Sequence, residues 1–361
     1  MGKQERDAEK IMRVRRRLLE WYERSRRDLP WRRNRDPYAI WVSEIMLQQT
    51  RVAVVMERYQ DFMARFPTLV SLALAPEQEV LAAWSGLGYY RRARMMHKAA
   101  QFVADHCHGK LPQTAEALRL LPGIGAYTAA AVASIAYGER VAVVDGNVER
   151  VLCRLEGWKA GSRAGSGALL RRKIEELAAE LVCPERPGDS NQALMELGAT
   201  LCSPRNPQCP VCPVAGDCKT QGEHPTAQRP KMTSREVAHA LSSRSGKRAG
   251  QAHREVLLEQ RPVSQSVMPG LWELPALIEA KVPEQELRLT LRHSIMQVNY
   301  SVHIRTVSES DVDALTVPGG VRRWVPLKDA GGMALTGLAR KVLTRLHLLD
   351  AIAPRKGDDV L

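Results

Sequence analysis

Four of the seven cysteines in the chain, Cys202, Cys209, Cys212 and Cys218, stand within a 17-residue stretch. No other feature limits the fold as much, because a loop that turns back on itself over so short a span brings four thiols to one point. With six, two and five residues between successive cysteines, the four make a four-coordinate soft-ligand site that suits an iron–sulfur cluster or zinc. Structural zinc sites usually pair two CxxC knuckles, whereas here only Cys209 and Cys212 have that spacing. Coordination chemistry thus leans toward iron–sulfur and leaves zinc open. Pro204, Pro207, Pro210 and Pro213 stiffen the loop. Cys107, Cys153 and Cys183 lie scattered in apolar helical patterns and read as ordinary buried thiols. The odd total argues against a disulfide framework.

Upstream of this loop the hydrophobic period is helical. Ile11, Val14, Leu18 and Tyr22 recur on one face with Arg and Glu on the others. Further helices are expected over about 41–57, 78–84, 89–106, 114–120, 126–137, 145–156, 168–182 and 190–202, separated by Gly and Pro signals such as Asp36-Pro37, Gly86-Leu87-Gly88 and Pro122-Gly123. Residues 7–218 therefore read as an all-helical domain. Gly222, Pro225 and Pro230 among polar residues mark 219–235 as a linker. From 236 the period shortens, and Glu236–Leu241, Glu255–Glu259 and Ile295–Thr306 read as strands. A last helix is expected over about 335–349. The expected fold class is multi-domain, an all-α domain followed by a smaller α+β domain at 236–350, which 361 residues with 44% hydrophobic content can support.

Lys and Arg outnumber Asp and Glu by 53 to 40, a net charge of +13, which points to a polyanionic partner. The first 40 residues already hold 13 basic against 7 acidic side chains. No stretch approaches the roughly 18 uninterrupted apolar residues of a spanning helix, and the basic amino terminus has no apolar core of a signal peptide. A cytoplasmic chain with no membrane partner is expected. Between two helical runs, Leu121-Pro122-Gly123-Ile124-Gly125 offers a tight turn with bare backbone N–H groups ahead of a helix opening near Ala126. Such a turn at Gly123 and Gly125 suits one DNA phosphate; a plain helix–turn–helix corner fits it equally.

Two carboxylates stand in unusual company. Glu44 lies in a mostly apolar stretch read as a helix start; burial there would raise its pKa and make it a general acid, while solvation would leave it an ordinary first-turn glutamate. Asp145 follows the apolar Val141–Val144 run and precedes Gly146-Asn147-Val148, a position that reads first as a helix N-cap. The two roles are compatible. A protonated Glu and an ionised Asp are the acid and stabiliser of glycosidic-bond cleavage.

Taken together, these motifs resemble the adenine DNA glycosylase (MutY) family of helix–hairpin–helix iron–sulfur DNA glycosylases. The resemblance rests on Asp28-Leu29-Pro30-Trp31-Arg32, Ser43-Glu44-Ile45-Met46-Leu47-Gln48-Gln49-Thr50, Gly86-Leu87-Gly88-Tyr89-Tyr90, the hairpin with Tyr127-Thr128-Ala129, Val144-Asp145-Gly146-Asn147-Val148, Met195-Glu196-Leu197-Gly198-Ala199 and the four cysteines. It implies a helix–hairpin–helix near 114–137 and one 4Fe-4S cluster on the 202–218 loop, held by Cys202, Cys209, Cys212 and Cys218. It implies removal of adenine mispaired with 8-oxoguanine or guanine in duplex DNA, with the target base flipped out of the stack. Glu44 would protonate adenine N7, Asp145 would stabilise the oxocarbenium-like sugar, and Tyr127 and Asn147 would support them. Arg27, Trp31 and Glu196 would surround the flipped base. Gln49 with the wedging Tyr89 would meet the lesion side, and Gln48 beside them would be a further substrate- or DNA-binding residue. Where lyase relatives carry a lysine nucleophile this chain has Tyr127, so strand cleavage is not expected. A monomer with no nucleotide cofactor, associated with the nucleoid when on DNA, is the implied state.

The carboxy-terminal resemblance is patchier. Val256-Leu257-Leu258-Glu259-Gln260-Arg261, Gly270-Leu271-Trp272-Glu273-Leu274-Pro275 and Arg323-Trp324-Val325-Pro326 resemble a Nudix-like domain. Residues 276–292 lack that family's glutamate box, so pyrophosphohydrolase activity is not expected. The family's Phe-Ser-His type recognition loop falls on Ile295, Met296 and Gln297, and Met296 supplies no hydroxyl. Two other readings compete: a bifunctional pyrimidine-lesion glycosylase and lyase, opposed by Tyr127, and a non-enzymatic iron–sulfur DNA-binding protein, opposed by carboxylates placed beside a polyanion.

Overall fold

The computed structural model describes residues 3–159, 166–224, 232–248 and 251–349. In chain order the helices are α1 (Lys3–Ser25), α2 (Pro37–Leu47), α3 (Val52–Arg65), α4 (Leu69–Leu74), α5 (Glu77–Ala83), α6 (Arg91–His106), α7 (Ala115–Leu118), α8 (Ala126–Ala136), α9 (Gly146–Glu156), α10 (Ser166–Leu181) and α11 (Pro187–Thr200). The strands β1 (Thr233–Leu241), β2 (Ser243–Arg248), β3 (Gln251–Gln260), β4 (Trp272–Glu273), β5 (Leu287–Ile295), β6 (Val298–Thr306) and β7 (Arg322–Pro326) follow, with α12 (Val312–Leu315), α13 (Leu327–Ala330) and α14 (Gly337–Arg345) among and after them. Two compact units result: Met1–Gln49, Thr68–Ala73 and Lys98–Ala227 form one, and Thr50–Pro67, Leu74–His97 and Gln228–Leu361 the other. This division cuts across the 7–218 and 236–350 limits drawn along the chain, since two helical stretches join the sheets. Of the expected linker 219–235, residues 225–231 lie outside the described residues, and β1 already begins at Thr233.

In the first unit the apolar stripe of α1, Val14, Leu18 and Tyr22, packs into a core with Val148, Val151 and Leu152 of α9, Ile174 and Leu177 of α10 and Leu194 and Leu197 of α11. Each fully buried aliphatic side chain there contributes about 1.5–3 kcal/mol. The small residues of α8, Ala129 to Ala131 and Ala133, are buried and let neighbours come close. At Gly188 of α11 an added Cβ would stand 2.8 Å from both Ile135 Cα and Ser134 O, so only glycine allows that approach. Asp36 starts α2 by accepting from Tyr38 N at 3.1 Å, with Pro37 in the first turn. The single helix expected over 41–57 is two helices, because Gln49 turns the backbone to φ +54 after α2 ends. Glu44 therefore sits in the last turn of α2 and not at a helix start.

In the second unit β6 lies between β1, parallel to it, and β5, antiparallel. The run expected as one strand over 295–306 is the end of a hairpin: β5 stops at Ile295, Met296 takes φ +53, and β6 begins at Val298. β3 pairs with β2, β4 and β7 in a second sheet. Val256 and Leu258 of β3 and Val302 and Ile304 of β6 are buried with Leu338, Ala339, Val342 and Leu343 of α14. Thr336 caps α14 by accepting from Ala339 N at 3.1 Å, so the helix expected over 335–349 is shorter at both ends. The carboxy-terminal sheets are the smaller α+β part. Among the described residues no helix is long and apolar enough to cross a membrane.

Candidate active site

Glu44 is buried, 6% exposed, at a point where α2 packs on α8. From the first turn of α8, Tyr127 donates its hydroxyl to Glu44 Oε2 at 2.7 Å, and Met195 Sδ of α11 lies 3.5 Å from the same hydroxyl. Burial pushes the Glu44 carboxyl from the usual 4.5 up to about 7, aided by the charge of Asp145 and opposed by the Tyr127 hydrogen bond and by Arg32. The Tyr127 phenol is itself driven well above its ordinary value, by burial first and then by Glu44. A first-turn, solvated Glu44 is thereby excluded, and burial favours the neutral carboxyl that can donate.

Asp145 caps α9. Its Oδ1 accepts from Val148 N at 2.7 Å and its Oδ2 from Asn147 Nδ2 at 2.9 Å, so both carboxylate oxygens are fixed at the positive end of a helix. Asn147 is held in turn: Arg150 Nη2 donates to Asn147 Oδ1 at 2.9 Å and to Gly198 O at 2.8 Å, while Arg150 Nε donates to Cys202 O at 2.8 Å. The Asp145 turn and the cysteine loop thus share one guanidinium. Gly198 permits the approach, since a Cβ there would lie 2.6 Å from Asn147 Cβ. The segment entering the turn is tied down by Asn191, which accepts from Val143 N at 3.0 Å and donates to Val141 O at 2.8 Å.

Glu196, 1% exposed, accepts from Arg27 Nε at 2.7 Å and from Arg32 Nη2 at 2.9 Å. Burial raises its pKa, but the two guanidinium hydrogen bonds outweigh that and bring it to about 2. Trp31 is buried in the 3₁₀ turn Pro30–Arg32. Gln48 Nε2 donates to Thr128 Oγ1 at 3.1 Å, which joins α2 to α8. Gln49 is exposed in its left-handed turn. In the hairpin, Gly123 takes φ +75, and Gly125 is the residue before α8 and has no side chain to cap its N–H groups. All of these belong to the first unit; Tyr89, 54% exposed at φ +46, belongs to the second.

Cys202, Cys209, Cys212 and Cys218 line one small cavity together with Arg154, Leu155 and Val214. Arg154 is 2% exposed. Its Nη1 donates to Ser203 O at 2.7 Å and lies 3.4 Å from Cys202 Sγ, its Nη2 donates to Pro204 O at 3.0 Å, and its buried Nε has no partner. A buried cation held by carbonyls fits an anionic, all-thiolate centre beside it. Among the described residues no three His, Cys, Asp or Glu side chains are grouped to hold a single metal ion.

Sequence reasoning missed Asn191, Arg150 and Arg154. Arg150 and Arg154 follow Asn147 at one-turn intervals on α9 and face the cysteine loop, which is a readable helical signal.

A helical fold with a buried acid hydrogen-bonded to Tyr127 after a Gly-rich hairpin defines a class: residues 42–180 match the HhH-GPD superfamily of base excision DNA repair proteins. The chain is also similar to the solved structure of a thermostable thymine-DNA glycosylase, at TM-score 0.53 and 31% identity over 59% of this chain and 97% of that one. Adenine DNA glycosylase of Homo sapiens is 36% identical over 411 residues, covering 93% of this chain and 74% of that protein. Its counterpart from Mycobacterium tuberculosis is 45% identical over 198 residues, 55% of this chain and 64% of the relative. The chain belongs to the adenine DNA glycosylase family, enzymes of base excision repair.

Proposed function

We propose that this enzyme hydrolyses the N-glycosidic bond of adenine placed opposite 8-oxoguanine or guanine in duplex DNA, and that it leaves an abasic site without cutting the strand. The observation that carries this reading is the pair of carboxyls with opposite surroundings, Glu44 buried with its pKa raised and Asp145 held by two N–H donors. With the adenine flipped out, neutral Glu44 gives its proton to N7 and turns the base into a better leaving group. Asp145 stabilises the oxocarbenium-like sugar and, as in retaining glycosidases, captures the anomeric carbon until water, deprotonated by Glu44, releases it. Tyr127 offers a phenol and no amine, so no Schiff base forms and no elimination follows. Arg27, Arg32, Glu196 and Trp31 form the wall against which the flipped base rests. Gly123 and Gly125 present backbone N–H groups to one phosphate. Opposite-base selection falls to Gln49 and Tyr89, since the hairpin tip at Ile295, Met296 and Gln297, where Met296 is 74% exposed, supplies no serine hydroxyl.

Cys202, Cys209, Cys212 and Cys218 would hold a 4Fe-4S cluster, with Arg154 balancing its charge and Arg150 tying the loop to the Asp145 turn. Bound there, the cluster would brace the loop and offer an electron-transfer centre. Purified protein is expected to contain equimolar iron and acid-labile sulfide; stoichiometric zinc instead would remove this assignment.

The decisive assay uses duplexes with adenine opposite 8-oxoguanine, guanine and thymine. Adenine release from the first two is expected, with strand breaks appearing only after alkali or heat. Prompt nicking under mild conditions, or equal release opposite thymine, would sink the proposal.

A further inference from the structure

Tyr89 lies in the sequence Ser85-Gly86-Leu87-Gly88-Tyr89-Tyr90, and the backbone there is under unusual constraint. Gly86 and Gly88 take φ +96 and +68, and Tyr89 takes φ +46, where an L side chain is disfavoured. Tyr89 is half exposed while Leu87 and Tyr90 on either side are 4% exposed. A strained turn that presents one aromatic ring outward persists only if its surroundings fix it.

Part of that fixing is local. Trp84 Nε1 donates to Gly88 O at 3.1 Å, and Arg92 Nη2 donates to Leu87 O at 2.9 Å and to Thr50 Oγ1 at 3.0 Å. The rest comes from the carboxy-terminal part of the same unit. Ser85, just before the turn, accepts from Arg340 Nε at 2.7 Å, and Arg340 Nη2 donates onward to Gly331 O at 3.1 Å. Tyr90, just after the turn, donates its hydroxyl to Leu335 O at 2.9 Å. Both ends of the turn are therefore tied to one ten-residue stretch, 331–340, more than 240 positions away in sequence. That stretch is itself anchored, because the cap residue Thr336 donates to the buried Glu273 Oε2 at 2.5 Å.

We propose that Arg340 and Tyr90 are positioning residues for Tyr89, so that the start of α14 sets how the aromatic ring meets the base opposite the target adenine. This rests on the reading of Tyr89 as the lesion-side wedge. The guanidinium fork is suited to the task because it bonds Ser85 and the Gly331 carbonyl at once from a planar, pre-set geometry, and neither bond touches Glu44 or Asp145.

The test uses the full chain and single-turnover adenine release opposite 8-oxoguanine and opposite guanine. A duplex with 2-aminopurine next to 8-oxoguanine reports unstacking by its fluorescence. Arg340→Met, which keeps the aliphatic stem, is expected to lower the preference for 8-oxoguanine roughly ten-fold, the scale of one lost charge-assisted hydrogen bond. The 2-aminopurine response should shrink, and adenine release opposite guanine should be little changed. Tyr89→Ser is expected to lower the preference at least as far, and the double variant no further than Tyr89→Ser alone. Unchanged preference in both Arg340→Met and Tyr90→Phe, or losses that add in full in the double variant, would overturn the proposal. If Tyr89→Ser has no effect, the wedge reading fails and the proposal with it; if Tyr89→Ser is impaired and neither Arg340→Met nor Tyr90→Phe is, the wedge stands and the proposal alone fails. Should Arg340→Met lose its fold, Ser85→Ala removes the same hydrogen bond from the other side and carries the same comparison.

Discussion

Glu44→Gln is expected to lower adenine release by several powers of ten while duplex affinity stays close to that of the parent enzyme. The amide keeps the shape of the carboxyl and still accepts from the Tyr127 hydroxyl, which reaches Glu44 Oε2 at 2.7 Å, so packing is conserved. What it lacks is a transferable proton. Acid catalysis by a positioned group contributes about 10²–10⁴-fold, and for a leaving group as poor as unprotonated adenine the loss compounds. The parent enzyme's pH profile has a fixed sign on its alkaline side: only the protonated acid acts, so the rate falls as pH rises beyond about 7, the value to which burial raises Glu44. Stability moves the same way. A carboxyl with a folded pKa of about 7 against 4.5 unfolded binds more protons in the native state between those values. The cost of burying its charge is therefore absent below pH 4.5, grows from there to 7 and is complete above, at about 3 kcal/mol. Glu44→Gln should accordingly raise the melting temperature at pH 8 and have little effect at pH 4.5. A variant that retains release, or that is destabilised at pH 8 relative to the parent, would remove Glu44 from the role of acid.

The order and type of the elements were legible where one physical signal dominated. The 3.6-residue period of Val14, Leu18 and Tyr22 placed α1, and the alternation around Val302 and Ile304 placed β6, because in both cases one face is buried and the other is not. The break between α2 and α3 was not legible, since Gln49 is no turn-former by composition and its left-handed backbone is imposed by its surroundings. β2 escaped for the opposite reason: Ser-Arg-Ser-Gly-Lys-Arg carries little apolar signal, and pairing with β3 makes it a strand. β5 was readable and was missed, since Leu287, Leu289 and Leu291 alternate with Arg288, Thr290 and Arg292. Glu44 and Asp145 stood out as carboxylates in the wrong company. Their direct partners Tyr127 and Asn147 were legible too, but the residues that brace the surrounding backbone, Arg150 and Asn191, were not, because they act through hydrogen bonds to backbone groups and short polar side chains, and a sequence records nothing of which carbonyl a side chain will meet. The packing of residues 50–67 and 74–97 with the sheets was hidden likewise, being a property of non-local contacts.

Asp145 has two readings that a single substitution separates. As an N-cap it needs one acceptor for Val148 N, which an asparagine supplies as well as an aspartate. As stabiliser of a developing cation it needs a full negative charge, which asparagine lacks. Asp145→Asn is therefore expected to change stability by no more than about 1 kcal/mol and to lower adenine release at least about a thousand-fold, the scale on which charge stabilisation is lost from a preorganised site. The small stability term has an identifiable source: the side chain now has a single acceptor oxygen, Asn147 Nδ2 donates to the other position at 2.9 Å, and Asn147 cannot turn round because Arg150 Nη2 occupies its Oδ1 at 2.9 Å. One hydrogen bond becomes a donor facing a donor. Thermal melts and single-turnover release on the same preparation read the two roles apart. Activity within ten-fold of the parent would reduce Asp145 to a helix cap, whereas a collapse of the rate in a protein that melts where the parent does assigns the charge to the reaction.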